Sequence, residues 1–390
     1  MKIAIVNLTS GGLSGGYLKY LVNLVPLLRQ DPRVTKLDVF VPEGVLLPAH
    51  CGSLRMWPKR DGAAGFPTLR GTVASLAPDV VFFPTARLVD CGAIPTVVMV
   101  RNMEPLLVPF GGNGWRESLR NLARARVAHR ACDRASRVIA VSDYVRRFIV
   151  ERWRLPSAKI GRVYHGVAAE PAAAAAPASL QQVGRFVFTA GSIRPARGLE
   201  DLIRATPALL RAHPDLAVVI GGKADAVSHD YEARMQHLAA RQGVARAIVW
   251  TGQLSSAEMA WAYGRCAAFV VTSRAEACPN VALEALSHGA PVVSTSQDPM
   301  PEFFGGTATY YRPEHADELA LRVTQIMAEP EPAAAARRES ARARAAEFPW
   351  RRTADETVTE LDLAAKREPR TEDRKPRTEN RKPQAVNRKP

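Results

Sequence analysis

Ser273-Arg274-Ala275-Glu276-Ala277-Cys278-Pro279-Asn280-Val281-Ala282-Leu283-Glu284-Ala285-Leu286-Ser287-His288-Gly289-Ala290-Pro291-Val292-Val293-Ser294 reads as a strand end, a loop, a helix, a glycine stop and a second strand. Pro279 or Asn280 opens the helix and Gly289 closes it. Glu276 then lies in the loop at a strand's carboxyl end, and Glu284 lies about one turn into the helix. Backbone N–H groups exposed beside a helix N-terminus make a natural seat for phosphate. A carboxylate beside that seat gains nothing from phosphate, so its chemistry suits hydroxyl donors, which sugars and ribose supply. Simple service to the helix dipole would explain the same two carboxylates.

Outward from this unit the pattern repeats. Residues 186–190, 217–220, 248–251, 268–272 and 291–294 read as short apolar strands with helical stretches between them. An earlier series, 2–8, 37–41, 80–83, 96–100 and 138–141, reads the same way. Strands alternating with helices predict parallel, doubly wound sheets. Two such sheets, Rossmann-like and facing each other across a cleft, fit a chain of this length. The predicted division is a first domain over 1–165, an Ala/Pro-rich linker over 166–184 and a second domain over 185–348. Arginine, lysine and proline recur every seven residues in 367–390 with almost no apolar side chains, which predicts a disordered tail.

The chain has 390 residues, 47% hydrophobic and 23% charged, an ordinary balance for packed α/β cores. No apolar run approaches the roughly 20 residues of a membrane span, and the N-terminus reads as a strand rather than a signal peptide. Five cysteines without Cys-x-x-Cys spacing disfavour zinc and disulfide frameworks and fit a reducing cytoplasm. No Asp-x-Asp and no close histidine pair occurs, so a metal site has no sequence handle. The net charge of +15 is uneven: residues 1–165 carry 24 Lys/Arg against 11 Asp/Glu, whereas 166–365 carry 19 against 23. The first half is therefore expected to meet an anionic surface or substrate, and a chain basic in only one half does not suggest nucleic acid.

The segment 273–294 resembles the Glu-x7-Glu motif of retaining glycosyltransferases of family four, which have the GT-B fold. Neighbouring segments match in order. Gly191-Ser192-Ile193-Arg194-Pro195-Ala196-Arg197-Gly198-Leu199 is similar to that family's Gly-Arg-Leu-x-x-x-Lys-Gly, with Arg197 in place of the lysine and Ser192 in place of the arginine. Met300-Pro301-Glu302 resembles its Pro-Glu, and Phe348-Pro349-Trp350 its Phe-Ser-Trp, which begins a helix (349–366) crossing back to the first domain. The resemblance implies that Glu276 holds donor-sugar hydroxyls, Glu284 the ribose and Arg197 the pyrophosphate, with Arg194 a second nearby cation and Asn280 part of the donor site. Gly11 and Gly12 would let the first-domain loop approach the diphosphate, although a tight turn explains them equally. His165 reads as a hinge residue. Where relatives place a histidine after the fifth strand this chain has Arg101-Asn102, so both are candidate catalytic residues, with Arg101 limited to electrostatic or positional work because it never loses its proton near neutral pH. Pairing of Arg101 with Glu104 is the structural alternative.

The expected function is transfer of a hexose-type sugar from a nucleoside-diphosphate sugar to a saccharide or lipid-linked acceptor, with no metal and no further cofactor. A nucleotide-sugar epimerase and a non-catalytic nucleotide-sugar-binding partner are the rival readings. Residues 115–154 hold 11 Arg against 4 Asp/Glu. Read as a basic helix with Trp115 at its start, this stretch suits an anionic membrane surface, or else a plainly solvated face.

Overall fold

The computed structural model describes residues 1–8, 15–45, 47–57, 66–107, 114–224 and 228–366. Gly11 and Gly12, together with the repeat over 367–390, lie outside the described residues.

Two all-parallel sheets organise the chain. The first has seven strands: β1 (Lys2–Val6), β2 (Lys36–Pro42), β3 (Leu54–Trp57), β4 (Val80–Phe83), β5 (Thr96–Val100), β6 (Arg137–Ala140) and β7 (Ile160–Arg162), in the spatial order β3-β2-β1-β4-β5-β6-β7. The second has six: β8 (Phe186–Ala190), β9 (Ala217–Gly221), β10 (Ile248–Gly252), β11 (Ala268–Val271), β12 (Val292–Thr295) and β13 (Ala308–Tyr311), in the order β10-β9-β8-β11-β12-β13. Central strands such as Val-Val-Phe-Phe at 80–83 and Ala-Phe-Val-Val at 268–271 are buried throughout. Helices cover both faces of a parallel sheet, so its inner strands are continuous apolar runs.

Each sheet reverses its winding once. β1 sits between β2 and β4, and β8 sits between β9 and β11. The chain leaves β8 and β11 in opposite directions, and the crevice between their carboxyl ends is where open α/β sheets bind ligands. The loops leaving these two strands carry Arg197 and Glu276.

The stretch 115–154 is not one helix, as its arginine spacing suggests. It is α3 (Trp115–Arg134), strand β6 and α4 (Asp143–Arg152). The arginines spaced by four lie in α3, and the apolar run Val138-Ile139-Ala140, read as a strand, is fully buried in the sheet and interrupts the helix. Between the sheets, residues 166–184 lie against the second domain: Ala173 N–H bonds Ala257 O at 2.9 Å, and His288 Nε2 is 2.9 Å from Glu170 O. The last helix, α12 (Trp350–Ala365), packs on α1 (Gly15–Gln30) and on β4, β5 and β6 of the first domain, burying Val358 and Leu361 completely. Trp350 sits so close to Gly166 that a Cβ there would come within 2.5 Å of the Trp350 Cα, so this crossing requires glycine.

No described helix is long and apolar enough to cross a membrane.

Candidate active site

Arg197 closes a short 3-10 turn after β8. Gly198 follows at φ +59°, and a Cβ there would stand 2.5 Å from Thr272 O. The turn is thereby pressed onto the end of β11, where Thr272 Oγ1 donates to Arg197 O (2.6 Å) and Arg274 N–H to Ala196 O (2.8 Å). So fixed, Arg197 Nη1 reaches Glu276 Oε1 at 2.5 Å and Ser273 Oγ at 3.2 Å. Among the described residues only Nη1 of this guanidinium and only Oε1 of this carboxylate are engaged. Arg197 Nε and Nη2 therefore remain free to bind an oxyanion as a fork, and Glu276 Oε2 remains free to accept hydroxyl protons. Beside the pair opens a shallow depression lined by Thr189, Gly191, Ile220, Gly221, Thr272 and Ser273. Next to the lining residue Gly221, Gly222 stands at φ +123°, where a Cβ would fall 2.0 Å from Gly191 O, so two backbones cross where only glycine fits.

α8 (Asn280–Ser287) rises from the same loop. Among the described residues the backbone N–H groups of Glu276 and Ala277 have no protein acceptor. Both groups lie just before the helix N-terminus, the arrangement that favours a bound anion. Glu284, one turn in, is not free. Lys19 Nζ from α1 crosses the cleft to Glu284 Oε1 (2.8 Å), and Tyr263 Oη lies 3.5 Å from Oε2. A second cross-cleft pair joins Arg194 Nη1 to Glu104 Oε2 at 2.8 Å. Burial pushes the Glu104 carboxyl up, opposed by Arg194 and Arg197.

The pairing of Arg101 differs from the sequence alternative: Glu104 goes to Arg194. Arg101 instead stacks its guanidinium 4.4 Å from the Tyr17 ring centroid and 5.0 Å from that of Tyr20, and Nη2 donates to Gly16 O (3.1 Å). Nη1 is buried without a partner, and no carboxylate pairs with Arg101 among the described residues. Burial lowers the Arg101 pKa, with weaker opposing influences from Tyr17 and Tyr20. Asn102 is exposed, and its Oδ1 accepts Glu104 N–H (3.0 Å), so it shapes the loop that carries Glu104.

His165 packs beside this group, 4.8 Å from the Tyr20 ring centroid and 2% exposed. Its Nδ1 lies 3.4 Å from Asn280 Nδ2. Because the amide nitrogen can only donate, Nδ1 is the acceptor and Nε2 carries the proton, without a partner. Burial and the Arg101 charge hold its pKa well below the ordinary value, so the ring is neutral at pH 7.

The domains also join away from the loops that carry Arg197 and Glu276. Both Glu302 carboxylate oxygens accept N–H groups at the start of α4, from Asp143 (2.6 Å) and Tyr144 (2.9 Å). Ser142 Oγ caps the same helix through Val145 N–H at 3.2 Å. The Pro-Glu segment thus ends in a capping residue supplied by the other domain. Lys19, Tyr17 and Tyr20 carry no signal in the sequence. They occupy ordinary positions on an amphipathic helix, and only the tertiary structure takes Lys19 to Glu284 and lays the two rings against Arg101.

Two family models match the chain: Glycosyltransferase Family 4 over residues 23–171 and Glycosyl transferases group 1 over residues 177–344. A glycogen synthase of Mycobacterium tuberculosis is 32% identical over 198 residues, 50% of this chain and 44% of the relative. A D-inositol 3-phosphate glycosyltransferase of Streptomyces avermitilis is 30% identical over 238 residues, 57% of this chain and 51% of the relative. The chain thus spans about half the length of the curated relatives it matches. Among solved structures, Anabaena HepE in complex with UDP superposes with a TM-score of 0.72 at 20% identity, covering 93% of this chain and 100% of the other. Sucrose-phosphate synthase from Thermosynechococcus elongatus gives 0.72 at 16%, covering 93% and 98%. With a family 4 domain, then a group 1 domain, and two facing doubly wound sheets, the chain belongs to the GT-B glycosyltransferases.

Proposed function

We propose that the protein is a retaining glycosyltransferase that moves a hexose-type sugar from a nucleoside-diphosphate sugar to a saccharide or lipid-linked acceptor, on the cytoplasmic side of a membrane and in polysaccharide or glycolipid synthesis. The observation that carries the reading is the half-engaged Arg197–Glu276 pair at the second sheet's switch point. It presents a cationic fork and a free carboxylate oxygen side by side, matched to a diphosphate and a hydroxylated ring.

In this reading Arg197 and the N–H groups before α8 neutralise the leaving diphosphate. Glu276 Oε2 accepts sugar hydroxyl protons and fixes the ring. Glu284 accepts the ribose hydroxyls, which requires Lys19 to move off Oε1. Arg101, lacking a carboxylate, adds a buried positive charge on the first-domain side. Arg194 enters as a positioning residue, since its charge is spent on Glu104, and Asn280 acts by holding His165. The acceptor oxygen bonds to the anomeric carbon as the bond from that carbon to the β-phosphate oxygen breaks, and the acceptor proton passes to the departing phosphate. Retention follows because acceptor and leaving group share one face of the sugar. These cations and dipoles do the charge neutralisation, so neither a metal nor a cofactor beyond the donor is invoked.

The test is calorimetry with UDP and other nucleoside diphosphates, followed by turnover with the sugar nucleotide that binds. Micromolar binding lost in both Arg197→Ala and Glu276→Ala, with turnover that persists in chelator, supports the reading. Product formed from donor alone, without acceptor, would replace it with an epimerase. The kcat profile should show no inflection near pH 6.5, because His165 is held neutral and far below that value.

A further inference from the structure

α3 turns an unusual face outward. Among the described residues seven large hydrophobic side chains are exposed, and four stand on this one helix: Trp115 (69%), Leu119 (59%), Leu122 (42%) and Val127 (50%). The helix itself is anchored by Asn121, Ala128, Ala131 and Cys132, which are buried against the first domain. Residues 115, 119, 122, 126 and 130 are spaced by four, three, four and four, so they share a single stripe on the opposite side. That stripe is apolar over its first two turns and arginine-bearing beyond.

The charges sort themselves as well. Glu117 holds both Arg120 (3.3 Å) and Arg124 (2.6 Å), which takes these two out of play although their spacing stands out in the sequence. Arg126, Arg130 and Arg134 form no ion pair among the described residues, and Arg116 lies over the Trp115 ring, its guanidinium carbon 5.3 Å from the centroid. The outward face therefore combines an aromatic ring, two leucines and uncompensated guanidinium groups. A soluble partner of opposite charge would match the arginines but leave Trp115 and Leu119 without purpose. An anionic bilayer satisfies both, with indole and leucine entering the headgroup boundary and arginines meeting lipid phosphates.

We infer that α3 is a membrane-docking helix that lays its 115/119/122/126/130 stripe on an anionic lipid surface. This rests on the exposed face and not on the reaction proposed above. If the acceptor is lipid-linked, docking has a use: α3 begins eleven residues after Glu104, so the helix on the bilayer is one short segment from the cleft.

The experiment is co-sedimentation of the full chain with vesicles of phosphatidylglycerol and phosphatidylcholine in equal parts, and with phosphatidylcholine alone. Arg116→Glu/Arg126→Glu/Arg130→Glu should weaken binding to the mixed vesicles on the order of a hundredfold. Trp115→Ser/Leu119→Ser should weaken it about tenfold and remove the blue shift of tryptophan emission on binding. Both variants should keep the parent's circular dichroism, Tm and nucleotide affinity, since all of these side chains are exposed, on the side of α3 opposite its buried face. Arg120→Gln/Arg124→Gln should bind nearly as the parent does. Equal sedimentation of parent and charge-reversed chains, which would assign any binding to the basic tail, overturns the inference. So does failure of the parent to bind either vesicle, or a parent dimer in light scattering that Trp115→Ser/Leu119→Ser converts to monomer.

Discussion

The two sides of the cleft are built on the same winding but hold their charges differently. On the second-domain side Arg197 pairs with Glu276 and Arg274 with the buried Asp201 at 2.9 Å, while Arg194 takes its carboxylate, Glu104, from the opposite domain. On the first-domain side Arg101 is stacked between tyrosines with no carboxylate at all, while Lys19 takes its carboxylate from the opposite domain. One wall pairs two of these three cations within its own domain. The other pairs neither Lys19 nor Arg101 with a carboxylate of its own domain. A buried cation without an anion is costly unless something supplies one, so this asymmetry points to an anionic group entering from the cleft.

The comparison breaks first at Arg197. Arg197→Ala should lower kcat/KM by about 10²–10³, the usual loss when one preorganised charge-stabilising donor is removed. A loss confined to KM would mean that Arg197 only binds and does not stabilise the departing charge. Glu284 and Lys19 sharpen the picture as a pair. Glu284→Ala should weaken nucleoside diphosphate binding by about 1–3 kcal/mol in calorimetry, whereas Lys19→Met should tighten it or leave it unchanged, because the lysine occupies the same oxygen as the proposed ribose contact. Equal losses in both would make Lys19 a ligand rather than a competitor.

Glu302→Gln should cost about 1 kcal/mol of stability through the weakened cap on α4, read as a lower Tm with donor affinity kept. The smallest effect concerns His165. Its folded pKa is depressed, so below its ordinary value of 6.5 the unfolded chain binds a proton that the fold refuses. Stability therefore rises with pH up to about 6.5 and falls as pH drops from there toward the folded pKa. His165→Gln should flatten that part of the Tm profile; a slope unchanged by the substitution would place its origin in other groups.

Much of the second wall is legible in the amino-acid sequence. The loop, helix and glycine stop over 273–294 are contiguous, and Glu276 and Glu284 take their places from local chain geometry alone. The inner strands are legible too, because strands buried on both faces are unbroken apolar runs. The strands that sequence reading misses, β3, β7 and β13, are all sheet edges. An edge strand is half solvated and its sequence mixes polar with apolar, as in Leu-Arg-Met-Trp at 54–57, so its periodicity is weak. At 115–154 the arginine steps and the apolar run at 138–141 are both legible, as α3 and β6; only the reading of the whole stretch as one helix fails, because the buried strand interrupts it.

What the sequence determined by itself was whatever depends on neighbours along the chain: the repeating strand–helix units, the loop and helix over 273–289 with Glu276 and Glu284, and the separation of basic from acidic halves. Only the tertiary structure decided which cation meets which carboxylate. Lys19 and Glu284 are 265 residues apart, and Glu302 caps a helix that begins 159 residues before it. Such pairs are fixed when two sheets face each other, with α12 crossing back to pack on the first domain. Glu104 chose Arg194 over the nearer Arg101 for that reason. Arg101 is held by ring stacking on α1, while Arg194 is carried to the cleft by the second sheet.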